Sequence, residues 1–267
     1  MPMKTTRRSA IFGSLATGIG AGAAGQSLSS CSPGAMPFDG EKTRVTVLGV
    51  LHGRHRRSKK YSLEVLREAV RRANPDVILT EIPPDRIAEA KRGFAETGQV
   101  TERRTKVFPE YTDVVFPLTR EMDFTLVGTA GWTRELADER TAALKRIEND
   151  PQRAREWRED RAARAEFSRL LNGKGDDPRF IHSREYDVMT QRSRTPYQIY
   201  FDPDLGPGGW TRINAAHTGL INQALDTVSG QGAHALVIFG AAHKYMIERA
   251  LFLRNDIAFE DARALFD

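Results

Sequence analysis

Short runs of mostly apolar residues, many of them β-branched, recur along the chain. They are Val45–Val50, Asp76–Glu81, Phe124–Gly128 and Ala235–Gly240. Runs this short and this apolar are typical of strands that are buried on both faces, as in parallel sheets covered by helices. Helical patterns separate them, so strand and helix alternate along the chain. The sequence therefore predicts an α/β fold with a mostly parallel sheet flanked by helices.

Helices are predicted from apolar periodicity and from start and stop signals. Ser62 is a typical N-cap residue for the first helix, and Asn74–Pro75 ends it. Residues 45–81 thus form a strand–helix–strand unit, which is normally parallel and right-handed. The other predicted helices are Phe108–Met122, Thr211–Val228 and Lys244–Leu253, whereas Phe201–Trp210 is predicted to be a loop. We assign these elements to one domain, residues 43–267.

A charged helical insertion is predicted at about residues 129–208. Between Arg134 and Asn172, Arg and Glu alternate at helical spacing, and Asp150–Pro151 divides the pattern into two helices. Mixed charge favours a solvated helical face over a nucleic-acid surface. The net charge of +5 does not indicate a nucleic-acid surface either. Without the three basic residues before residue 31, the chain has 37 basic and 35 acidic residues and is nearly neutral. No nucleic-acid partner is predicted.

The first thirty residues have the pattern of an export signal. Their charge is confined to residues 1–8, which include the pair Arg7–Arg8, and residues 9–38 carry no charge. The stretch Ile11–Ala24 is too rich in Gly and Ala for a stable transmembrane helix. A twin arginine before a weakly apolar run resembles a Tat signal. We expect export from the cytoplasm.

Cys31 is the only cysteine, so no intramolecular disulfide can form. It ends Leu28–Cys31, which resembles a bacterial lipobox, where cleavage precedes the cysteine and its sulfur receives a diacylglycerol. A plain Sec signal with an incidental cysteine is the alternative. Residues 31–42 then form a tether. The match to G-x-G-x-x-G at Gly20–Gly25 is rejected, because it lacks the preceding strand and following helix of a dinucleotide site.

Two segments at opposite ends of the chain share one pattern, an apolar strand followed by Gly, two small or apolar residues, and His. They end in Gly49-x-x-His52 and Gly240-x-x-His243. In a parallel sheet this spacing puts both imidazoles just beyond the carboxyl ends of their strands, where α/β folds bind ligands. Glu81 ends the second strand at the same height. Gly49 and Gly240 are expected to allow a sharp turn and a close approach to a bound group.

Two imidazoles and a carboxylate at one edge predict a divalent-metal site formed by His52, Glu81 and His243. Such an ion lowers the pKa of water near it, so hydrolysis becomes accessible at neutral pH. The alternatives are turn histidines and, for Glu81, a helix N-terminal carboxylate favoured by the helix dipole.

These residues resemble the TraB/PrgY/GumN and Tiki group, which is related to ChaN haem-uptake lipoproteins and to erythromycin esterases. The similarity rests at one end on Gly49-x-x-His52, Tyr61-Ser62-Leu63 and Pro75-Asp76-Val77-Ile78-x-x-Glu81. At the other end it rests on a helix with Arg212 and Asn214, an apolar strand and Gly240-x-x-His243. It covers residues 43–254, but 129–208 match nothing in the group.

The resemblance implies an α/β fold with both G-x-x-H motifs facing one pocket. Tiki-like members are metal-dependent peptidases that use Mn or Co, whereas ChaN-like members bind haem. By the same resemblance Arg212 is a catalytic candidate, and Glu110 is a second ligand or the general base, with an exposed helix-start carboxylate as the alternative. For haem, Tyr61 and Tyr111 are the candidate phenolate ligands. This chain departs from the group in carrying Val50-Leu51 where Thr or Glu often precedes the first histidine.

The other four histidines are weaker candidates. For His55, in the basic run Arg54–Arg57, a solvated loop is favoured over a site for an anionic substrate. His217 lies on the same helix as Arg212 and is expected to approach the site. His182 and His234 are expected to be structural or exposed.

Three functions follow, from different classes. The leading hypothesis is an exported, membrane-anchored lipoprotein that acts as a metal-dependent hydrolase on peptide or ester bonds, with Mn, Co, Zn or Fe. The second is a ChaN-like lipoprotein that binds haem or a metal without catalysis. The third is a non-catalytic envelope interaction protein. In each case the protein faces the periplasm or the cell exterior and contacts the membrane through the lipid on Cys31.

The lipobox predicts that Cys31→Ser releases the protein from membranes or leaves its precursor uncleaved, because serine has no thiol to acylate. The measurement is membrane fractionation with the mass of the mature chain. Ser30→Ala serves as control, since it keeps a small residue before the cleavage point. A Cys31→Ser protein that fractionates and is processed like wild type would contradict the lipobox.

Overall fold

The computed structural model describes residues 38–267; the export signal, the lipobox, Cys31 and most of the tether lie outside the described residues. Five strands form one sheet in the order β3-β2-β4-β1-β5, and all neighbouring strands are parallel. Their bounds are β1 Thr43–Val50, β2 Val77–Thr80, β3 Thr125–Gly128, β4 His234–Gly240 and β5 Ile257–Glu260. The predicted α/β class, a parallel sheet flanked by helices, is confirmed.

The α-helices are α1 Leu63–Ala73, α2 Pro84–Thr97, α3 Phe116–Leu118, α4 Arg134–Glu148, α5 Ala154–Leu171, α6 Pro178–Ile181, α7 Arg184–Tyr200, α8 Asp202–Leu205, α9 Trp210–Asp226 and α10 Lys244–Leu251. Shorter 3₁₀ turns cover His52–Arg56, Thr105–Val107, Pro151–Arg153, Gly206–Gly208 and Ala262–Phe266, and Glu110–Val115 is a π-helical turn. None of the helices in the described range has the length and apolar character needed to cross a membrane.

Helices cover both faces of the sheet, which is why its three central strands, β1, β2 and β4, are largely apolar and buried. Val45 and Val47 of β1 belong to a buried cluster with side chains of α9 and α10. Leu48 and Val50 point the other way and pack with side chains of α1 and of the π-helical turn. Because successive strand residues face opposite sides, a strand covered on both sides has no solvent face for polar residues to occupy.

The order of the strands brings the two G-x-x-H motifs together. β4 lies between β1 and β2, with Gly49 opposite Phe239 and Val50 opposite Gly240. β2 pairs with the other side of β4, with Thr80 opposite Ile238. All these strands run in the same direction, so their carboxyl ends meet at one edge of the sheet.

The middle of the chain is helical. α4 and α5 are separated at the predicted break, where the Asp150 side chain accepts a hydrogen bond from Gln152 N at 2.9 Å. The helices are largely exposed and carry many ion pairs, such as Arg155 with Glu159 at 2.8 Å. A separate buried cluster joins α4, α7 and α8 to α9 and α10; it consists of Ala143, Ile147, Tyr197, Phe201, Leu205, Trp210 and Tyr245.

Two predicted elements differ from the structure. Phe201–Trp210 is not a loop, since Asp202–Leu205 is helical; Pro203 is tolerated there because the first turn of a helix needs no N–H. The helix predicted for Phe108–Met122 is shorter and contains the π-helical turn Glu110–Val115. Proline at position 117 has no N–H to give to a regular helical bond, so the regular pattern cannot run through this segment.

Gly49→Ala is predicted to destabilise the protein by about 1–3 kcal/mol, because an added Cβ would lie 3.0 Å from the Ala241 Cα, which belongs to the backbone next to β1. Chemical denaturation measures the change. Gly219→Ala is the control: Gly219 lies in α9 with nothing within 4 Å of an added Cβ, so alanine there should stabilise by roughly 0.5–1 kcal/mol. Equal effects at the two sites would contradict the packing argument.

Candidate functional site

The carboxyl edge of the sheet brings together the three residues predicted to bind a metal. His52 begins a 3₁₀ turn two residues after β1, Glu81 directly follows β2, and His243 is the N-cap residue of α10, three residues after β4. Glu81 lies between the histidines: its Oε2 is 3.8 Å from His52 Nε2, and its Oε1 is 3.7 Å from His243 Nε2. The Glu81 side chain is only 10 % exposed.

Glu110 holds the ring of His52. Glu110 is fully buried at the start of the π-helical turn, and its Oε1 accepts a hydrogen bond from His52 Nδ1 at 2.6 Å. π-helical turns are rare and are frequently found at functional sites. Since a carboxylate only accepts, the hydrogen of neutral His52 is on Nδ1, and the Nε2 lone pair faces Glu81. His52 has a φ of 51°, which is uncommon for a residue other than glycine.

Asn214 holds the ring of His243 in the same way. The amide nitrogen of Asn214 donates to the Trp210 carbonyl at 2.7 Å, which fixes its Oδ1 as the acceptor for His243 Nδ1 at 2.7 Å. Neutral His243 therefore also presents its Nε2 lone pair to Glu81. Trp210 stacks on the imidazole at 4.6 Å between ring centroids, and Arg194 lies 4.5 Å from the Trp210 ring.

Glu81 is fixed through both its side chain and its backbone. Its Oε2 accepts from the Gly240 N–H at 2.7 Å. Its own N–H donates to the Tyr111 hydroxyl at 2.8 Å, and that hydroxyl donates to the Ile238 carbonyl at 2.8 Å. These bonds tie β2, β4 and the π-helical turn together around one carboxylate.

The two glycines leave space for close packing and need no left-handed backbone. Neither Gly49 nor Gly240 has a positive φ, but the chain does turn directly after Gly240, where the His243 N–H donates to the Gly240 carbonyl at 2.8 Å. Close approach is what they provide: a Cβ on Gly240 would lie 2.5 Å from His52 Nε2 and 3.4 Å from Glu81 Oε2. Any larger residue at position 240 would displace the imidazole.

Burial and neighbouring charge shift the pKa values of the site. Burial raises the pKa of Glu81. Burial lowers the pKa of His52, but its hydrogen bond to Glu110 and the charges of Glu110 and Glu81 outweigh this, and the pKa ends above its ordinary value. The pKa of His243 is shifted in the opposite direction, well below its ordinary value. Burial is the largest cause, and the neighbouring His217 and His52 add to it.

When both histidines are neutral, the two imidazole Nε2 atoms and the Glu81 carboxylate are all hydrogen-bond acceptors, and none of them donates to another. Two imidazole lone pairs face one carboxylate at 3.7 and 3.8 Å, and these groups repel one another unless a cation or a proton lies among them. Two ligands of a tetrahedral ion, each about 2.1 Å from it, are roughly 3.4 Å apart. The observed separations are wider, and within residues 38–267 no group of three or more His, Cys, Asp and Glu side chains is already spaced to hold a metal.

His217 also lies beside the site. Its ring is 5.3 Å from that of His243, and its Nδ1 accepts from the Gly131 N–H at 2.8 Å. Its Nε2 is therefore a donor, and it is buried without a hydrogen-bond partner in the described part of the chain. Burial lowers the pKa of His217 to about 4.

The other predicted residues are not part of this cluster. Arg212 lies on the exposed face of α9 and contacts none of the three residues, so nothing in the geometry supports a catalytic role for it. His55 is not in a solvated loop: it is buried, its Nε2 accepts from Leu51 N and its Nδ1 donates to the Tyr61 carbonyl. Burial lowers the pKa of His55.

The remaining two histidines are structural, and both phenols are occupied. His182 Nε2 accepts from the Gly49 N–H at 2.8 Å, and His234 is buried at the start of β4. The Tyr61 hydroxyl donates to the Gly49 carbonyl at 3.1 Å, as Tyr111 does to Ile238. Burial raises the pKa of both tyrosines well above the ordinary value, which disfavours a phenolate.

The sequence carried a signal for the groups that hold His243, although their roles were not predicted. Trp210, Asn214 and His217 are spaced by four and three residues, so they share one face of α9. All three are buried. Asn214 and His217 are polar residues on the apolar face of α9, and polar side chains in such positions usually have hydrogen-bond partners in the protein interior.

Comparison with family models, with curated proteins and with solved structures finds no match for this chain.

Glu110→Gln is predicted to lower the pKa of His52, because the amide keeps a hydrogen bond but removes the charge that stabilises the imidazolium. The measurement is an NMR titration of the His52 ring in protein kept free of divalent ions. Asp113→Asn is the control, since Asp113 lies on the same turn but pairs with Arg56.

The same substitution has a pH-dependent effect on stability. His52 has a folded-state pKa above its unfolded value of 6.5, so its contribution is fully present below that pH and is lost as pH rises through the folded-state pKa. Glu110→Gln should therefore lose more stability at about pH 5 than at about pH 8, as measured by chemical denaturation. A loss that does not depend on pH, or an equal effect of Asp113→Asn, would contradict the coupling.

Proposed function

We propose that the protein is a metal-dependent hydrolase whose ion is held by His52, Glu81 and His243. The observation that supports this most strongly is the convergence of two imidazole lone pairs on a buried carboxylate. A bound cation removes the repulsion among these groups, and nitrogen and carboxylate oxygen suit Zn, Mn, Co or Fe.

The groups behind the ligands fit the same interpretation. A metal-binding histidine usually donates its other ring N–H to a carboxylate or another oxygen, which fixes the ring and increases its basicity. His52 donates to Glu110 and His243 donates to Asn214. Each histidine nitrogen lies within a few tenths of an ångström of the tetrahedral ligand separation from one Glu81 oxygen, His52 from Oε2 at 3.8 Å and His243 from Oε1 at 3.7 Å.

A divalent ion at this position supplies Lewis acidity, which polarises a substrate carbonyl and makes water more acidic. The chain itself supplies position and charge. Glu81 is held by Gly240, and His243 is kept neutral by burial, so both are ready to act as ligands. The His52 side chain is 35 % exposed, so it is the member of the cluster that a substrate reaches most directly.

Glu110 acts here as a positioning residue and not as a ligand or general base. It is fully buried, and one of its oxygens is engaged by His52. The expected catalytic role for Glu110 and the expected role for Arg212 are therefore not part of the proposal.

A second candidate is hydrolysis without a metal, with the His52–Glu110 pair as general base. It is favoured by the 2.6 Å bond between them and by the raised pKa of His52. In that case Nε2 of His52 takes the proton of the attacking water, and Glu110 stabilises the imidazolium. Haem binding has less support, because both candidate phenols already donate to backbone carbonyls.

Peptide and ester bonds are the substrates that we propose, on the basis of the resemblance to Tiki-like peptidases and erythromycin esterases. The proposed location is outside the cytoplasm, with attachment to the membrane through Cys31. The twin arginine and the lipobox motif support this location.

The test is the amount of Mn, Co, Zn or Fe bound per folded chain. His52→Ala or His243→Ala should each remove most of the metal, and the double variant should lose little more, because ligands of one ion act as a unit. Glu81→Gln should also reduce binding, since an amide carries no charge to balance the ion. Hydrolysis of a peptide or ester panel should fall in parallel.

His234→Ala is the matched control: His234 is buried at the opposite end of β4, so it should lower the melting temperature and leave metal content unchanged. Additive losses would indicate two separate sites. Full metal retention in a folded His52→Ala protein would reject the shared centre, and hydrolysis that survives chelation would favour the metal-free candidate.

A further inference from the structure

A small cavity of about 230 Å³ opens beside Glu81. We call it the Glu81 pocket. Its charged wall contains Glu81, Arg104 and Arg140, and its apolar wall includes Phe108 and Trp132. Pockets for drug-sized ligands are about 300–1,000 Å³, so this one suits a single amino-acid residue.

Neither arginine of the Glu81 pocket has an acidic partner. Within residues 38–267, Arg104 and Arg140 form no ion pair with a carboxylate. Elsewhere in the same range such pairs are common, for example Arg153 with Asp204 at 2.8 Å. A guanidinium group at the wall of a concave, partly apolar site favours a carboxylate brought by a ligand.

Arg140 is held in place for such a contact. Its guanidinium donates to the Tyr197 hydroxyl at 2.8 Å and lies 5.8 Å from the centre of the Trp132 ring. The Tyr197 contact uses one of its N–H groups and leaves others for a ligand. A preoriented arginine loses less side-chain freedom on binding than a mobile one.

We infer that the Glu81 pocket binds the C-terminal residue of a peptide, with its carboxylate on Arg104 and Arg140 and its apolar side chain against Phe108 and Trp132. This inference rests on the proposed hydrolase function. The reaction is then removal of the last residue. Water adds across the final peptide bond, the C–N bond breaks, the water oxygen bonds to the carbonyl carbon, and the released amine takes up a proton.

The test compares two ligands that differ only in charge, N-acetyl-L-phenylalanine and its carboxamide. Isothermal titration calorimetry should show the acid binding at least about tenfold more tightly, because only the acid forms charge-assisted hydrogen bonds with the arginines. Equal affinities for acid and amide would overturn the inference. So would tighter binding of inorganic phosphate than of the acid, since that indicates a general anion site.

Arg104→Gln tests whether the acid binds in the Glu81 pocket itself or is only attracted by positive charge in this region. Among the described residues Arg104 makes no side-chain hydrogen bond or ion pair, so its loss should not affect folding, and it should weaken the acid about tenfold while leaving the amide unchanged. The control is Arg103→Gln, which removes the same charge one residue away, on an exposed side chain outside the pocket. Equal weakening by both variants would overturn the inference.

The inference about the Glu81 pocket and the proposed hydrolase function can be rejected independently of each other. The titration needs no catalysis. A protein that binds the acid selectively, but holds no metal and cleaves no peptide, would therefore support the carboxylate-binding pocket and reject the proposed hydrolase function. A protein that binds metal and hydrolyses peptides, but has equal affinity for acid and amide, would support the hydrolase function and reject the carboxylate-binding pocket. For an active enzyme, amidation of the substrate's C-terminus should raise KM at least about tenfold.

Discussion

The parallel pairing of β1 with β4 is the constraint on which the rest of the structure depends. It sets Val50 opposite Gly240, so two motifs nearly two hundred residues apart in the chain finish at the same height. β2 on the other side of β4 adds Glu81 to that edge. A shift of register by one residue would turn every side chain of β1 to the opposite face of the sheet, so the apolar packing of the strands also fixes the positions of the polar groups beyond them.

Each polar group at this edge is oriented by a partner that lies further inside. Glu110 orients His52, Asn214 orients His243, and Tyr111 links the backbone of Glu81 to that of β4. Buried polar networks of this kind are costly unless every member is satisfied. Two buried side-chain atoms that lack a hydrogen-bond partner in the described part of the chain, Glu110 Oε2 and His217 Nε2, lie beside the cluster. Buried groups with shifted pKa values also meet here, as they commonly do at functional sites.

The fold class and the three central side chains followed from the sequence because their signals are local. An apolar strand followed by G-x-x-H specifies both a buried strand and a polar group at its end. β5 was missed because only Ile257 of its four residues is buried, so it has no apolar run to detect. The buried position of His55 and the hydrogen bond of Asn214 were missed for a different reason. They depend on which elements pack together, and no spacing along one element encodes that.

The left-handed backbone of His52 has a consequence for how substitutions there are compared. A residue with a Cβ at a φ of 51° carries a steric cost, on the order of 1–2 kcal/mol, that glycine avoids. Alanine would remove the imidazole but keep this cost, whereas glycine would remove both. Glycine at position 52 is therefore expected to give a more stable protein than alanine, the reverse of the usual ranking, and alanine is the reference against which the contribution of the imidazole alone is measured.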